Sequence, residues 1–412
     1  MALIVKKFGG SSVADVSCMQ RVASRVSETV SQGHDVVVVV SAMGKTTDNL
    51  VALAREVNGD PDDREYDMLL ASGEQISVSV LAMALHAKKV AAVSLTGPQA
   101  GIRTDDAHTR ARITDIDPEP IQSHLAEGKV VIVAGFQGLS PKQNIATLGR
   151  GGSDLSAVAL AGALKAERCQ IYTDVEGVFT ADPRVVPTAR KMNEISYDEM
   201  LELASLGAKV LQARSVEFAK KYGVKIEVLS SFTHAPGTLV QEEVEDMEGT
   251  VLRGIACDKS QSKITVKGVR DEPGIAARLF KELAAAEVNV DMIVQNTGAN
   301  QTTDISFTVP TESFSRTHKV VLEVAQQLGE GELVVEEEMA KVSVVGVGMR
   351  TQPGVALSSA GSSQATIGWD VSDCSSSRVR FASKRVSDAS IARKKPSSVA
   401  RLKRGCSKIG WW

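Results

Sequence analysis

LIVKKFGGSSVADVSCMQRVASRV occupies residues 3–26. Its apolar opening, Leu3–Val5, reads as a buried strand. Lys7-Phe8-Gly9-Gly10-Ser11-Ser12 then turns the chain, and a helical stretch, Val13–Val30, follows. Strand, glycine turn and helix form the unit from which parallel α/β sheets are built. The same alternation continues outward. Val36–Val40, Val90–Leu95, Val130–Ala134 and Ile171–Thr173 are short apolar runs suited to strands covered on both faces. Between them lie helical stretches such as Tyr66–His86 and Asp154–Leu164. The pattern predicts an α/β domain with a mostly parallel sheet. Ligands bind beyond the carboxyl ends of such strands, which places Gly9-Gly10-Ser11, Ser41, Thr96-Gly97 and Gly135 along one edge.

The first glycine turn suits phosphate. Backbone without side chains lets oxygens approach closely, the N–H groups at a helix start favour anions, and Lys7 adds a positive charge. Gly149-Arg150-Gly151-Gly152-Ser153-Asp154 repeats the device before a second helix, with an Arg and an Asp added. Taken singly, each loop also fits a plain strand–helix turn. Thr173 and Asp174 follow a strand and could meet a ribose or base, and Arg184, after Asp182-Pro183, could reach phosphate. Each of these also fits a turn and a surface ion pair. Ser72-Gly73-Glu74 reads as a helix start, where Glu74 could meet an ammonium group or only the helix dipole. Ser41 and Thr47 flank a loop and could donate to a carboxylate, and Lys209 reads as early in a helix. Gly44-Lys45-Thr46 is not a P-loop, because Val39 stands where the motif needs its first Gly. The six histidines are spread widely and read as solvated or structural.

Bulk properties exclude little else. The 412 residues are 43% hydrophobic and 24% charged, with a net charge of −3. Those values are ordinary for a globular chain and give no sign of nucleic-acid binding. No apolar run reaches the ~18 residues of a membrane span, and Lys6-Lys7 followed by Phe-Gly-Gly-Ser-Ser does not read as a signal peptide. The five cysteines show no zinc or disulfide spacing, and a reducing cytoplasm is expected.

A second region carries a repeat: KITVKGVRDEPGIA at 263–276 and KVSVVGVGMRTQPGVA at 341–356. The first copy continues as a helix, with Ile275, Leu279 and Leu283 on one face. Strands at Val288–Gln295 and Thr303–Val309, a helix near Ser313–Gln327 and a strand at Leu333–Glu337 follow, a βαββαβ unit. The second copy stops after Ala356. Residues 357–412 hold 14 serines, all three tryptophans and a local net charge of +8, with no helix or strand template. This basic tail is expected to be disordered. Its start inside a repeat suits a change of reading frame, with a genuine basic tail as the alternative.

KFGGSS at 7–12, LLASGEQ at 69–75, LGRGGSDLSA at 148–157 and YTDVEGVFTADPR at 172–184 together resemble the aspartokinase branch of the amino acid kinase superfamily, in order and spacing. DEPGIA at 271–276 resembles the opening of an ACT domain. The resemblance implies a three-layer α/β/α kinase domain at 1–248, a first ACT domain at 249–340, and a second begun at 341–356. The activity implied is transfer of the ATP γ-phosphate to the side-chain carboxylate of L-aspartate, the first step toward lysine, threonine and methionine. Lys7, Gly9, Gly10, Ser11, Gly151, Gly152 and Ser153 would hold ATP phosphates, with Mg²⁺ arriving on the nucleotide. Thr173, Asp174, Asp182, Arg184 and Lys209 would complete the nucleotide site. Ser41, Thr47, Glu74 and Arg150 would hold aspartate, Glu74 facing its amino group and Arg150 a carboxylate. Asp154 would organise the lysines at the reacting centre. Effector lysine or threonine would meet Asp271, Gly274, Ile275, Asn289, Asp291, Gln295 and Thr303. ACT pairing implies a homo-oligomer or α2β2 assembly, weakened here, with feedback inhibition impaired by the broken repeat. The alternatives are another amino acid kinase and a non-catalytic amino-acid sensor on the same scaffold.

Overall fold

The computed structural model describes residues 2–242, 253–297, 302–328, 332–345 and 378–381. They form two compact units divided between Gly254 and Ile255. The boundary expected at 248 lies outside the described residues.

The first unit opens with β1 (Leu3–Phe8), α1 (Val16–Ser31) and β2 (Asp35–Val40). Asp15 caps α1 by accepting the Cys18 N–H, and the helix lays Met19, Val22, Ala23 and Val26 on the core. Val36–Val40 is an unbroken valine run with every residue buried, as a strand covered on both faces requires. A helical hairpin follows, α2 (Thr46–Val57) and α3 (Asp63–Ala87), then β3 (Ala92–Leu95). Next come β4 (Ile102–Thr104), β5 (Ile113–Ile116), α4 (Glu119–Ala126), β6 (Val130–Ala134), β7 (Gln137–Leu139) and β8 (Ile145–Thr147). The unit closes with α5 (Gly152–Ala163), β9 (Arg168–Thr173), β10 (Glu194–Ser196), α6 (Tyr197–Ser205), α7 (Ala213–Tyr222), β11 (Ile226–Ser230) and β12 (Thr238–Gln241).

Eight strands make the main sheet in the order β10-β12-β11-β9-β1-β2-β6-β3, parallel except for β11 against β12. The parallel α/β expectation is met. A small sheet, β5-β4-β7-β8, stands apart. Its strands of three or four residues are too short to show a period in sequence.

Two readings change. Glu74 does not begin a helix: α3 starts at Asp63, capped by Asp62, and Glu74 lies near its middle. The same helix is, by length and composition alone, long and apolar enough to cross a membrane, where no such run was expected. It is a core helix of the sheet domain, with Leu70, Ala71, Val78, Leu81 and Leu85 buried.

The second unit runs β13 (Gly254–Arg270), α8 (Ile275–Ala285), β14 (Ile293–Thr297), β15 (Thr302–Pro310), α9 (Phe314–Leu328) and β16 (Glu332–Val345). This is the expected βαββαβ order. Ile275, Leu279 and Leu283 pack into a core with Ile264, Ile305, Phe307 and Val321. Pro273 precedes the cap residue of α8, Gly274, whose φ of 91° suits glycine. The strands expected at Leu333–Glu337 and from Lys341 are one continuous strand, β16. A four-residue strand, β17 (Arg378–Phe381), pairs parallel with Met339–Val342, so the stretch after Ala356 holds one strand where none was expected. The rest of that stretch, and residues 346–356, lie outside the described residues.

Candidate active site

The register of the main sheet brings its strand ends level. Phe8 lies opposite both Val40 and Tyr172, and Val40 opposite Ala134. The residues that come next, Gly9, Ser41, Gly135 and Thr173, therefore line one edge, the place where α/β sheets bind ligands. This is the edge expected from sequence.

At its centre Lys7 and Asp154 form an ion pair, Nζ to Oδ1 at 2.6 Å, both largely covered. Strand pairing supplies Lys7, and the first turn of α5 supplies Asp154. Two glycine turns flank the pair. A Cβ on Gly9 would lie 3.3 Å from the Lys7 ammonium, and one on Gly10 would lie 3.0 Å from the Ala42 carbonyl. Gly151 has a φ of 73° and leaves no space beside Gln212, whose amide donates to the Arg150 carbonyl at 2.8 Å. Ser11 is exposed beside this turn, and Ser153 packs on Gly135.

Glu74 reaches the same edge from α3. It is 3% exposed, and one oxygen accepts the Ala42 N–H at 3.0 Å, next to Ser41. The other oxygen is buried without a partner. Burial raises the carboxyl from 4.5 to about 7, against the lowering effect of the Ala42 hydrogen bond. Thr47 is the second residue of α2, half-buried, on the helix that packs against α3. Arg150 is exposed at the turn after β8.

The remaining predicted residues gather less closely. The Thr173 hydroxyl donates to Asp174 at 3.1 Å. Asp182 and Arg184 make a two-point ion pair at the surface, with Nε to Oδ1 and Nη2 to Oδ2 both 3.0 Å. The ion-pair alternative is what is seen here. Lys209 lies exposed in the loop between α6 and α7, not in a helix. Sequence reading missed Asp67, a fully buried acceptor, and Arg214, which holds the Leu148 and Ala111 carbonyls at 2.7 and 3.2 Å. It also missed Lys6, buried on the opposite face of β1 against Thr29 and Tyr172 and lowered to about 8, chiefly by burial. None of the three sits in a motif with a spacing that announces it.

Residues 2–230 match the amino acid kinase family, and residues 264–324 match an ACT domain. An aspartokinase of Geobacillus stearothermophilus is 54% identical over 356 residues, 86% of each chain. One from Pseudomonas aeruginosa is 51% identical over 358 residues, 86% of this chain and 87% of that one. The chain belongs to the aspartokinases. Its fold is similar to that of E. coli aspartokinase III in complex with aspartate and ADP, at 28% identity with a TM-score of 0.71. That match covers 87% of this chain and 91% of the other.

The ACT match follows the kinase match in this chain, on the second unit. There a groove of about 410 Å³ is lined by Asp271–Ala277 and Gln295. It joins four of the seven expected effector residues: Asp271, Gly274, Ile275 and Gln295. The other three stand elsewhere. Asp291 pairs with Lys341, the Thr303 hydroxyl donates to the Asn296 carbonyl, and Asn289 is exposed beyond the groove lining. Period-two alternation sends Thr303 to the buried face of β15.

Proposed function

We propose that this aspartokinase transfers the γ-phosphoryl group of ATP to the side-chain carboxylate of L-aspartate, giving 4-phospho-L-aspartate and ADP. The observation that carries the reading is the Lys7–Asp154 pair, set between two glycine turns at the edge that Glu74 reaches from the other side.

The nucleophile is a carboxylate, ionised at neutral pH, so no base is required. A carboxylate oxygen forms the new bond to γ-phosphorus as the bond to the β,γ-bridging oxygen breaks. The task of the site is to hold an anion in line and to neutralise charge on the transferring oxygens. Lys7 supplies that charge, and Asp154 fixes the direction of its ammonium. The backbone N–H groups of the Gly9-Gly10-Ser11 and Gly151-Gly152-Ser153 turns meet phosphate oxygens. Glu74 offers its unpartnered oxygen to the substrate ammonium, and Arg150, with Ser41 and Thr47, takes a carboxylate.

Among the described residues no three His, Cys, Asp or Glu side chains cluster as metal ligands. Mg²⁺ is usually bound through substrate phosphates with one or two carboxylates, and Asp154 would be the one at hand. When bound it neutralises phosphate charge. Lysine or threonine binds the ACT groove, and assembly between copies belongs to the same proposal.

The test is acyl phosphate trapped with hydroxylamine from purified protein, ATP and aspartate, with glutamate as control. Aspartate-dependent trapping is expected. Folded protein that traps none overturns the reading in favour of a sensor, and preference for glutamate makes it a different amino acid kinase.

A further inference from the structure

Asp67 has no role in the reading above, yet its surroundings are built with care for one purpose. It stands on α3 seven residues before Glu74, two turns away on the same face. It is fully buried, where a carboxylate is tolerated only when hydrogen-bonded throughout. His108 Nδ1 donates to it at 2.7 Å, the Thr109 N–H reaches both oxygens at 3.0 and 3.1 Å, and the Thr147 N–H donates at 3.0 Å. The Thr147 hydroxyl donates as well.

Both destinations border Arg150. Thr147 ends β8, three residues earlier. The His108 loop runs beside the same segment: the Ala111 N–H donates to the Thr147 carbonyl at 2.9 Å, and the Thr109 carbonyl lies 3.0 Å from where a Gly149 Cβ would be. Arg214 ties Leu148 to Ala111 from outside. Helix α3 thus carries two buried carboxylates. Glu74 holds the loop of Ser41 through Ala42, and Asp67 holds the strand and loop from which Arg150 emerges.

We propose that Asp67, through His108-Thr109 and Thr147, is a positioning residue that sets Arg150 against the carboxylate of the substrate. The proposal rests on the aspartate kinase reading. It makes one rigid helix the gauge that fixes the distance between the ammonium and carboxylate ends of the acceptor site.

The experiment compares wild type, Asp67→Asn, His108→Ala and His108→Asn, measuring KM for aspartate, KM for ATP, kcat and melting temperature. Asn at 108 keeps an N–H donor where Nδ1 stands. A displaced Arg150 is expected to raise the aspartate KM about tenfold in Asp67→Asn and His108→Ala, with the ATP KM changed less than about twofold. His108→Asn should recover most of the loss. A purely structural Asp67 predicts something else: falling melting temperature and kcat, no selective change in aspartate KM, and no rescue by Asn. That outcome overturns the proposal while leaving the kinase reading intact. Should Asp67→Asn fail to fold, the two His108 variants decide by the same criteria. Folded wild type without aspartate-dependent turnover removes the kinase reading first, and the proposal with it.

Discussion

Lys7 and Asp154 are 147 residues apart in the chain and 2.6 Å apart in the fold. Removing the ammonium leaves transition-state charge unmatched, so Lys7→Ala should lower kcat on the order of 10²-fold or more, read by trapped acyl phosphate at saturating substrates. Asp154→Asn should keep the fold and lose a comparable factor, because the ammonium loses its anchor. Glu74 gives a pH prediction. Its carboxyl is raised from 4.5 to about 7 in the free protein, and only the ionised form attracts an ammonium. Hence kcat/KM for aspartate should rise with pH to a plateau above about 7, and Glu74→Gln should abolish that limb. Stability has the opposite slope. Between 4.5 and 7 the folded chain holds a proton that the unfolded chain has released. The contribution of this group therefore falls as pH rises through that window, by about 3 kcal/mol in all. Urea midpoints for wild type and Glu74→Gln across pH 5–8 measure the difference.

At the scale of elements, α3 governs the acceptor side of the site. A Cβ on Gly73 would lie 2.9 Å from the Ala42 Cβ, so the helix touches the loop after β2 with no space left. Gly73→Ala should push the two apart, cost about 1–3 kcal/mol of stability and raise the aspartate KM more than the ATP KM. Thermal melting and initial rates check both halves. Sequence made this helix visible as the stretch Tyr66–His86, yet also offered Ser72-Gly73-Glu74 as a helix start, because Ser72-Gly73 resembles a boundary. The glycine is there for close packing, not for ending a helix. Lys209 was misread for a related reason: apolar spacing alone does not reveal the loop between α6 and α7. The short strands of the second sheet were invisible, since three residues cannot display alternation.

For the whole molecule, two units with separate cores predict two calorimetric transitions. Lysine or threonine bound in the ACT groove should raise only the transition of the second unit, by about 2.7 kcal/mol of stabilisation at a hundredfold excess over Kd. Turnover should stay insensitive to both, because the second repeat departs from its pattern after Ala356. Inhibition by the pair would show that one ACT unit suffices for control.

By itself the sequence determined the strand–helix alternation of the kinase unit, its parallel strands, its two glycine turns and the βαββαβ order of the ACT unit. Periodicity and turn chemistry are local properties, written in consecutive residues. Only the tertiary structure decided that Lys7 meets Asp154, that Glu74 is buried with one oxygen unpartnered, and that Asp291 and Thr303 stand outside the lining of the ACT groove. It alone brought Asp67 to Thr147 and His108. Those facts depend on strand register and on which face a side chain takes when distant segments pack, and no stretch of neighbouring residues encodes them.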